Sequence, residues 1–226
     1  MGERPPTILA FDTSAAHCAA AVFADGLIAR SETALMARGQ AEHLMPMLES
    51  ILSEQGLVWR DLDALAVGIG PGNFTGIRIS VATARGLALA LGVPAFGVSM
   101  FEVLRAIAGG SDDDLIAVEA PRGAVYLQRF QAGHPPTAPR LIEPAAPPPD
   151  LGLSELSRVV GWCATAIARP FGARAVDAAP ADLPQRIALC AAARMAGGEV
   201  PSRPSPLYVR PADAAPSSSP PPVILP

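Results

Sequence analysis

Three features of the sequence predict an α/β fold in two lobes. Three short strands in succession open the chain. A strand, a glycine loop and a long helix of small residues follow across residues 62–91. After a break at Gly109-Gly110 strands resume, with a helix near the end. At 226 residues there is material for one large core or two modest ones. The expected division is 1–108 for a first lobe, 109–210 for a smaller second lobe and 211–226 for a flexible tail of Ala, Ser and Pro. Half of the residues are hydrophobic and 17% are charged, which is a globular balance. The net charge of −4 and pI near 5.4 exclude a strong stand-alone nucleic-acid binder, which would carry a basic face.

Residues 7–11 form an apolar strand that ends in Asp12-Thr13-Ser14. Residues 17–23 form a second, Asp25-Gly26 is a two-residue hairpin turn, and residues 27–33 form a third. Asp12 at the strand end suits closing a turn by accepting from nearby backbone N–H groups. Residues 40–56 are the first helix, with Leu44, Leu48, Ile51 and Leu52 on one face and Gly56 as its stop. Met45 and Met47 lie off that stripe, where thioethers suit a surface that repacks against a partner or fill a gap under a loop. His43 has no second ligand beside it and is read as a surface or packing residue.

Residues 62–69 form a buried strand stopped by Gly70-Pro71-Gly72, with Thr75 as the expected N-cap of the next helix. Unpaired N–H groups at that helix start would suit an anion, with Asp12, Gly70, Gly72 and Thr75 as the candidate contacts. The spacing matches neither a Walker loop nor the dinucleotide fingerprint. The other reading is that these glycines let the helix approach the sheet closely. The helix, residues 75–91, is apolar nearly all round: Ile77, Val81, Ala84, Ala88 and Leu91 form one stripe, and Ile79, Ala82, Leu87, Leu89 and Ala90 occupy much of the opposite side. Such a helix needs cover on both sides, and a sheet supplies it on one. A partner interface is therefore expected at Met45, Met47, Ser80, Ala84, Leu87, Ala88 and Leu91. Either Ile77, Val81 and Ala84 face the sheet while Ser80, Ala88 and Leu91 face the partner, or the reverse.

Residues 94–98 form another strand, and Ser99 with Glu102 has the spacing of a capping box for a helix reaching about residue 108. Asp112-Asp113-Asp114 reads as a solvated turn. Residues 115–119 and 124–130 form a hairpin. Residues 132–150, dense in proline, read as a stiff surface excursion without regular structure. A short strand at 159–161, a helix at 184–196 and a last strand at 206–209 complete the pattern. Cys18, Cys163 and Cys190 are too scattered for a zinc site and fit reduced thiols in the cytoplasm, and no secretory signal precedes the first strand. The longest apolar window, residues 77–91, falls short of the ~20 residues that span a bilayer, so no membrane segment is expected. No nucleophile–base pair or metal cluster stands out, and no catalytic residue is assigned.

The residues Ile8-Leu9-Ala10-Phe11-Asp12-Thr13-Ser14 and Gly70-Pro71-Gly72-Asn73-Phe74-Thr75-Gly76-Ile77-Arg78-Ile79, continued by Gly86-Leu87-Ala88-Leu89-Ala90, Gly97-Val98-Ser99 and Pro206-Leu207-Tyr208-Val209-Arg210, are very similar to the bacterial TsaB (YeaZ) family. The likeness runs through most of the first 105 residues and returns in patches. It implies an actin-like ASKHA fold of two ribonuclease-H-like lobes, the second reduced, in which an acid such as Asp12 positions a metal-bound phosphate in nucleotide-binding relatives. It implies a role in forming N6-threonylcarbamoyladenosine beside the anticodon of tRNAs that read codons beginning with A. The chain would be the non-catalytic partner of the transferase TsaD, joined by the ATPase TsaE, with ATP or ADP and metal on those subunits and none required here. tRNA would be met only through the complex, and the chain alone would form a homodimer. The family pairs through the two helices of its first lobe. The chain departs from the family pattern at Gln40, where members often carry histidine, and at Glu119-Ala120-Pro121.

Overall fold

The computed structural model describes residues 4–209. Strands β1 (Ile8–Asp12), β2 (His17–Ala24), β3 (Leu27–Leu35), β4 (Ala64–Gly68) and β5 (Ala95–Val98) form one sheet in the order β3-β2-β1-β4-β5. Within it β1 and β2 are antiparallel, β2 and β3 antiparallel, and β4 runs parallel to both β1 and β5. The second sheet holds β6 (Asp113–Glu119), β7 (Val125–Gln131), β8 (Arg140–Ile142), β9 (Arg158–Gly161) and β10 (Arg174–Val176) in the order β10-β9-β6-β7-β8. Read from its own first strand this is the same order with the same directions, since β6 is antiparallel to β7 and parallel to β9. The two lobes are two copies of one plan.

Alternation along β1 divides the first core. Leu9 and Phe11 point to the face covered by helix α1 (Gln40–Glu54) and helix α2 (Phe74–Leu91), while Ile8 and Ala10 point to the other. That other face is closed by helix α5 (Leu183–Ala196) through Leu183, Ile187, Ala188 and Ala191, with Val103 of helix α3 (Met100–Ile107) beside them. The rest of α3 belongs to the second lobe: Phe101 and Leu104 pack with Ile116, Val118 and Val160. A residue range of 109–210 therefore does not delimit the second lobe, because α5 docks on the first sheet. Arg194 fastens it there by donating to the Gly97 carbonyl at 2.7 Å.

The second lobe is reduced for a legible reason. Where the first lobe carries α1, the second has the proline-rich stretch and a single helical turn at Pro149–Leu151. Where it carries α2, there is the five-residue helix α4 (Ala164–Ala168). Within the expected irregular excursion β8 pairs with β7, because prolines on either side leave Arg140 to Ile142 free to donate. Helix α4 and strand β10 were not anticipated, being shorter than any periodicity can reveal. Residues 206–209 join no ladder. Leu207 N donates once, to the Ile69 carbonyl at 2.9 Å. The tail at 211–226 and Arg210 lie outside the described residues.

Asp113 and Asp114 are not a solvated turn. Asp113 takes a two-point bond from Arg129 at 2.8 Å each, and Asp114, fully buried, is held by Arg158 and by Ser111. The Arg129 guanidinium holds the Asp113 carboxyl below its ordinary value. Burial pushes Asp114 up, and Arg158 and Ser111 outweigh it, so that group too lies low.

Among the described residues α2 is, by length and composition, long and apolar enough to cross a membrane. Its Ile77, Ser80, Val81 and Ala84 are nevertheless packed into this fold, and Arg78 and Arg85 lie along it.

Candidate functional site

The end of β1 meets the start of α2 almost backbone to backbone. Asp12, 1% exposed, accepts from Ser14 N and Ser14 Oγ at 2.9 Å each. The same oxygen lies 2.8 Å from His17 Nε2, which must carry the proton while Asp12 is ionised. Thr13 Oγ1 donates to the Gly76 carbonyl at 2.7 Å, and Asn73 N donates to the Ser14 carbonyl at 2.6 Å. A Cβ on Gly68 would fall inside the Asp12 carboxylate, one on Gly72 against the Ser14 carbonyl, and one on Gly76 on the Thr13 carbonyl. The glycines are there because two turns share the space that side chains would need.

This packing takes up two of the N–H groups at the loop that an anion could have bound, those of Asn73 and Gly76. The N-cap of α2 is Asn73, not Thr75: its side chain accepts from Gly76 N at 2.9 Å, while Asn73 N is already given to Ser14. Thr75 is an exposed residue of the first turn. Gly70, at φ +97°, turns its carbonyl to Met100 N at 2.9 Å and so joins the loop to α3. Of the candidate phosphate contacts, Asp12, Gly70 and Gly72 come together, but as parts of one internally bonded junction.

His17 is the residue that sequence reasoning passed over. The signal was the hairpin register: Asp12 pairs with Ala19, which sets His17 on the same face and diagonally adjacent. Ser14 Oγ and His17 Nε2 both approach Asp12 Oδ1, so the imidazole is turned to the acid and not to the hydroxyl. That is not the relay of a nucleophile, its base and the base's orienting acid.

Beside this junction a cavity of about 620 Å³ opens between the two sheets. Ser14, His17 and Gly72 line it from the first lobe, Ala117 and Glu119 from β6, Trp162 from the turn after β9, and Asp182 from the start of α5. Among the described residues no group of three His, Cys, Asp or Glu side chains is placed to hold a metal ion.

The paired-helix face needs correction. Met47 is 4% exposed, and Ser80 and Ala84 are fully buried, so these three face inward and cannot meet a partner. Ser80 Oγ lies over the Gly68 carbonyl at 3.3 Å, since a small hydroxyl suits the close crossing of α2 on β4. Met45, Leu87, Ala88 and Leu91 are half-buried at the edge of the face. Its exposed ridge is Ala82, Gly86, Leu89 and Ala90, and Leu89 is 82% exposed. At the other end of α2, Arg78 lies 3.8 Å from the Phe74 ring centre and donates to Tyr208 Oη at 2.8 Å, holding the C-terminal segment against the helix start.

A model of the family described as TsaD, tRNA N6-adenosine threonylcarbamoyltransferase, matches residues 33–135. The chain is 37% identical over 127 residues to the tRNA threonylcarbamoyladenosine biosynthesis protein TsaB of Escherichia coli, covering 55% of this chain and 54% of that protein. It is 34% identical over 127 residues to the TsaB of Bacillus subtilis, covering 55% of each. The chain thus spans about half the length of these curated relatives. A crystal structure from Pseudomonas aeruginosa, described as an uncharacterized protein with similarity to peptidase YEAZ, superposes with a TM-score of 0.68 at 28% identity, over 91% of this chain and 100% of that one. The ethanolamine utilization protein EutJ of Carboxydothermus hydrogenoformans shares the fold at a TM-score of 0.50 and 15% identity, over 84% and 92% of the chains. The architecture is the actin-like ASKHA plan of two ribonuclease-H-like lobes.

Proposed function

The chain belongs to the TsaB (YeaZ) family, and from that premise we propose that it is the non-catalytic partner subunit of TsaD in forming N6-threonylcarbamoyladenosine next to the anticodon of tRNAs that read codons beginning with A. The observation that carries the reading is the outer face of α2. A helix packed on a sheet by Ile77, Val81 and Ala84 leaves Leu89 82% exposed among small residues on the other side, which is a surface built to be covered. Leu87, Ala88 and Leu91, with Met45 of α1, border the same contact. The reading places ATP or ADP and metal on TsaD and TsaE, brings tRNA to this chain only through the complex, and sets the assembly in the cytoplasm. In isolation the same face pairs two copies of the chain.

An independent hydrolase of the nucleotide or peptide type, the competing reading, draws on the Asp12, Ser14 and His17 cluster. It is the weaker one, because Ser14 Oγ and His17 Nε2 meet the same Asp12 oxygen, so the imidazole is not turned to the hydroxyl it would have to activate.

The test is threonylcarbamoyl transfer to tRNA by this chain and its TsaD, separately and together, with TsaE, ATP and threonylcarbamoyl-AMP supplied. Activity is expected with both subunits. Leu89→Glu is expected to abolish co-purification with TsaD and to lower transfer at least about tenfold while leaving the far-ultraviolet circular dichroism of the chain unchanged, since a solvated ridge becomes an unpaired charge in an apolar contact. Turnover by this chain without TsaD, lost on Asp12→Ala, would overturn the reading.

A further inference from the structure

We propose that the cavity between the two sheets binds a small organic cation, an amine or guanidinium carried on an apolar body. Its acidic lining residues are Glu119 and Asp182, His17 lines it with buried Asp12 just beneath, and no lysine or arginine is among the residues that line it. A polyphosphate entering here would meet carboxylates from both lobes. Two backbone donors of the neighbouring loop are committed elsewhere, Asn73 N to Ser14 and Gly76 N to the Asn73 side chain.

What the cavity does offer suits the opposite charge. Trp162 is 46% exposed at its wall, and an indole ring attracts an ammonium or guanidinium through its quadrupole. Met100, Leu104, Leu183 and Pro184 supply apolar cover for a hydrocarbon stem. Glu119 and Asp182 approach from different lobes, so a ligand with a cationic group at each end of a short chain satisfies both. A bare metal ion fits less well, since among the described residues no three His, Cys, Asp or Glu side chains converge as ligands.

The experiment follows Trp162 fluorescence in a Trp59→Phe background, which leaves it as the sole tryptophan. Agmatine is the probe, with Mg-ATP as the anion of comparable size. Agmatine is expected to give a saturable change, and Glu119→Gln combined with Asp182→Asn to weaken it by about tenfold or more. Both carboxylates are exposed, so the double variant keeps its fold. A response to agmatine that stays linear through about 10 mM, an unchanged affinity in the double variant, or saturation by Mg-ATP instead would each overturn the proposal. None of these residues lies on the α2 ridge, so this site and the TsaD partnership stand or fall separately.

Discussion

Gly76 shows most plainly how one residue can decide the character of a loop. Because its missing Cβ would overlap the Thr13 carbonyl, Gly76→Ala must push α2 away from β1 and break the Thr13 Oγ1 and Asn73 N bonds that join them. A loss of about 2–3 kcal/mol is expected, read as a lower denaturant midpoint at unchanged slope. Alanine at Gly86, where added atoms meet nothing, should cost nothing and serves as the control. Sequence could list the glycines but not choose between an anion cradle and a close crossing, because the choice rests on what Thr13 and Ser14 do some sixty residues away. Asp12 and His17 were open to the same difficulty: their contact needs the register of a hairpin, which no single position carries.

At the level of elements, local chemistry was legible and docking was not. The Ser99–Glu102 capping box forms as its spacing requires, because both partners sit within one turn. The buried face of α1 is likewise the Leu44, Leu48, Ile51 and Leu52 face its periodicity names, widened by Met47. By contrast α2, apolar nearly all round, gave no preference between its two sides, and Ser80 and Ala84 turned inward because their small size is what a close helix–strand crossing uses. The start of β6 makes the element-scale prediction. Asp113 and Asp114 hold their carboxyls below the ordinary 3.8, so the folded chain keeps them charged where the unfolded chain takes up protons. The stability they contribute is present above about pH 4 and is lost as pH falls through their folded values. Asp114→Asn leaves Arg158, mostly buried, without its counter-charge; a loss of about 3 kcal/mol at pH 7 is expected, with a shallower fall of melting temperature as pH drops below about 4 than in the unaltered chain.

For the whole molecule, the two-lobed plan could be read from the order of strands and helices, whereas the place of α5 could not. Nothing in residues 183–196 says that their apolar face belongs to strands laid down more than a hundred residues earlier; that is settled by the shape of the first sheet's open face. The helix that ends each repeat, α3 in one and α5 in the other, is handed to the opposite sheet. The exchange has a consequence for how the chain can be cut. Expressed as 1–108 and 109–226, neither piece covers its own sheet. Each carries the lid of the other, so mixing the two pieces should restore a stoichiometric complex by size-exclusion chromatography, and either piece alone should bind a hydrophobic dye. A break in the covalent chain at Gly109-Gly110 would then be survivable, while deletion of α5, at the far end of the sequence, would unroof the lobe that folds first from the ribosome.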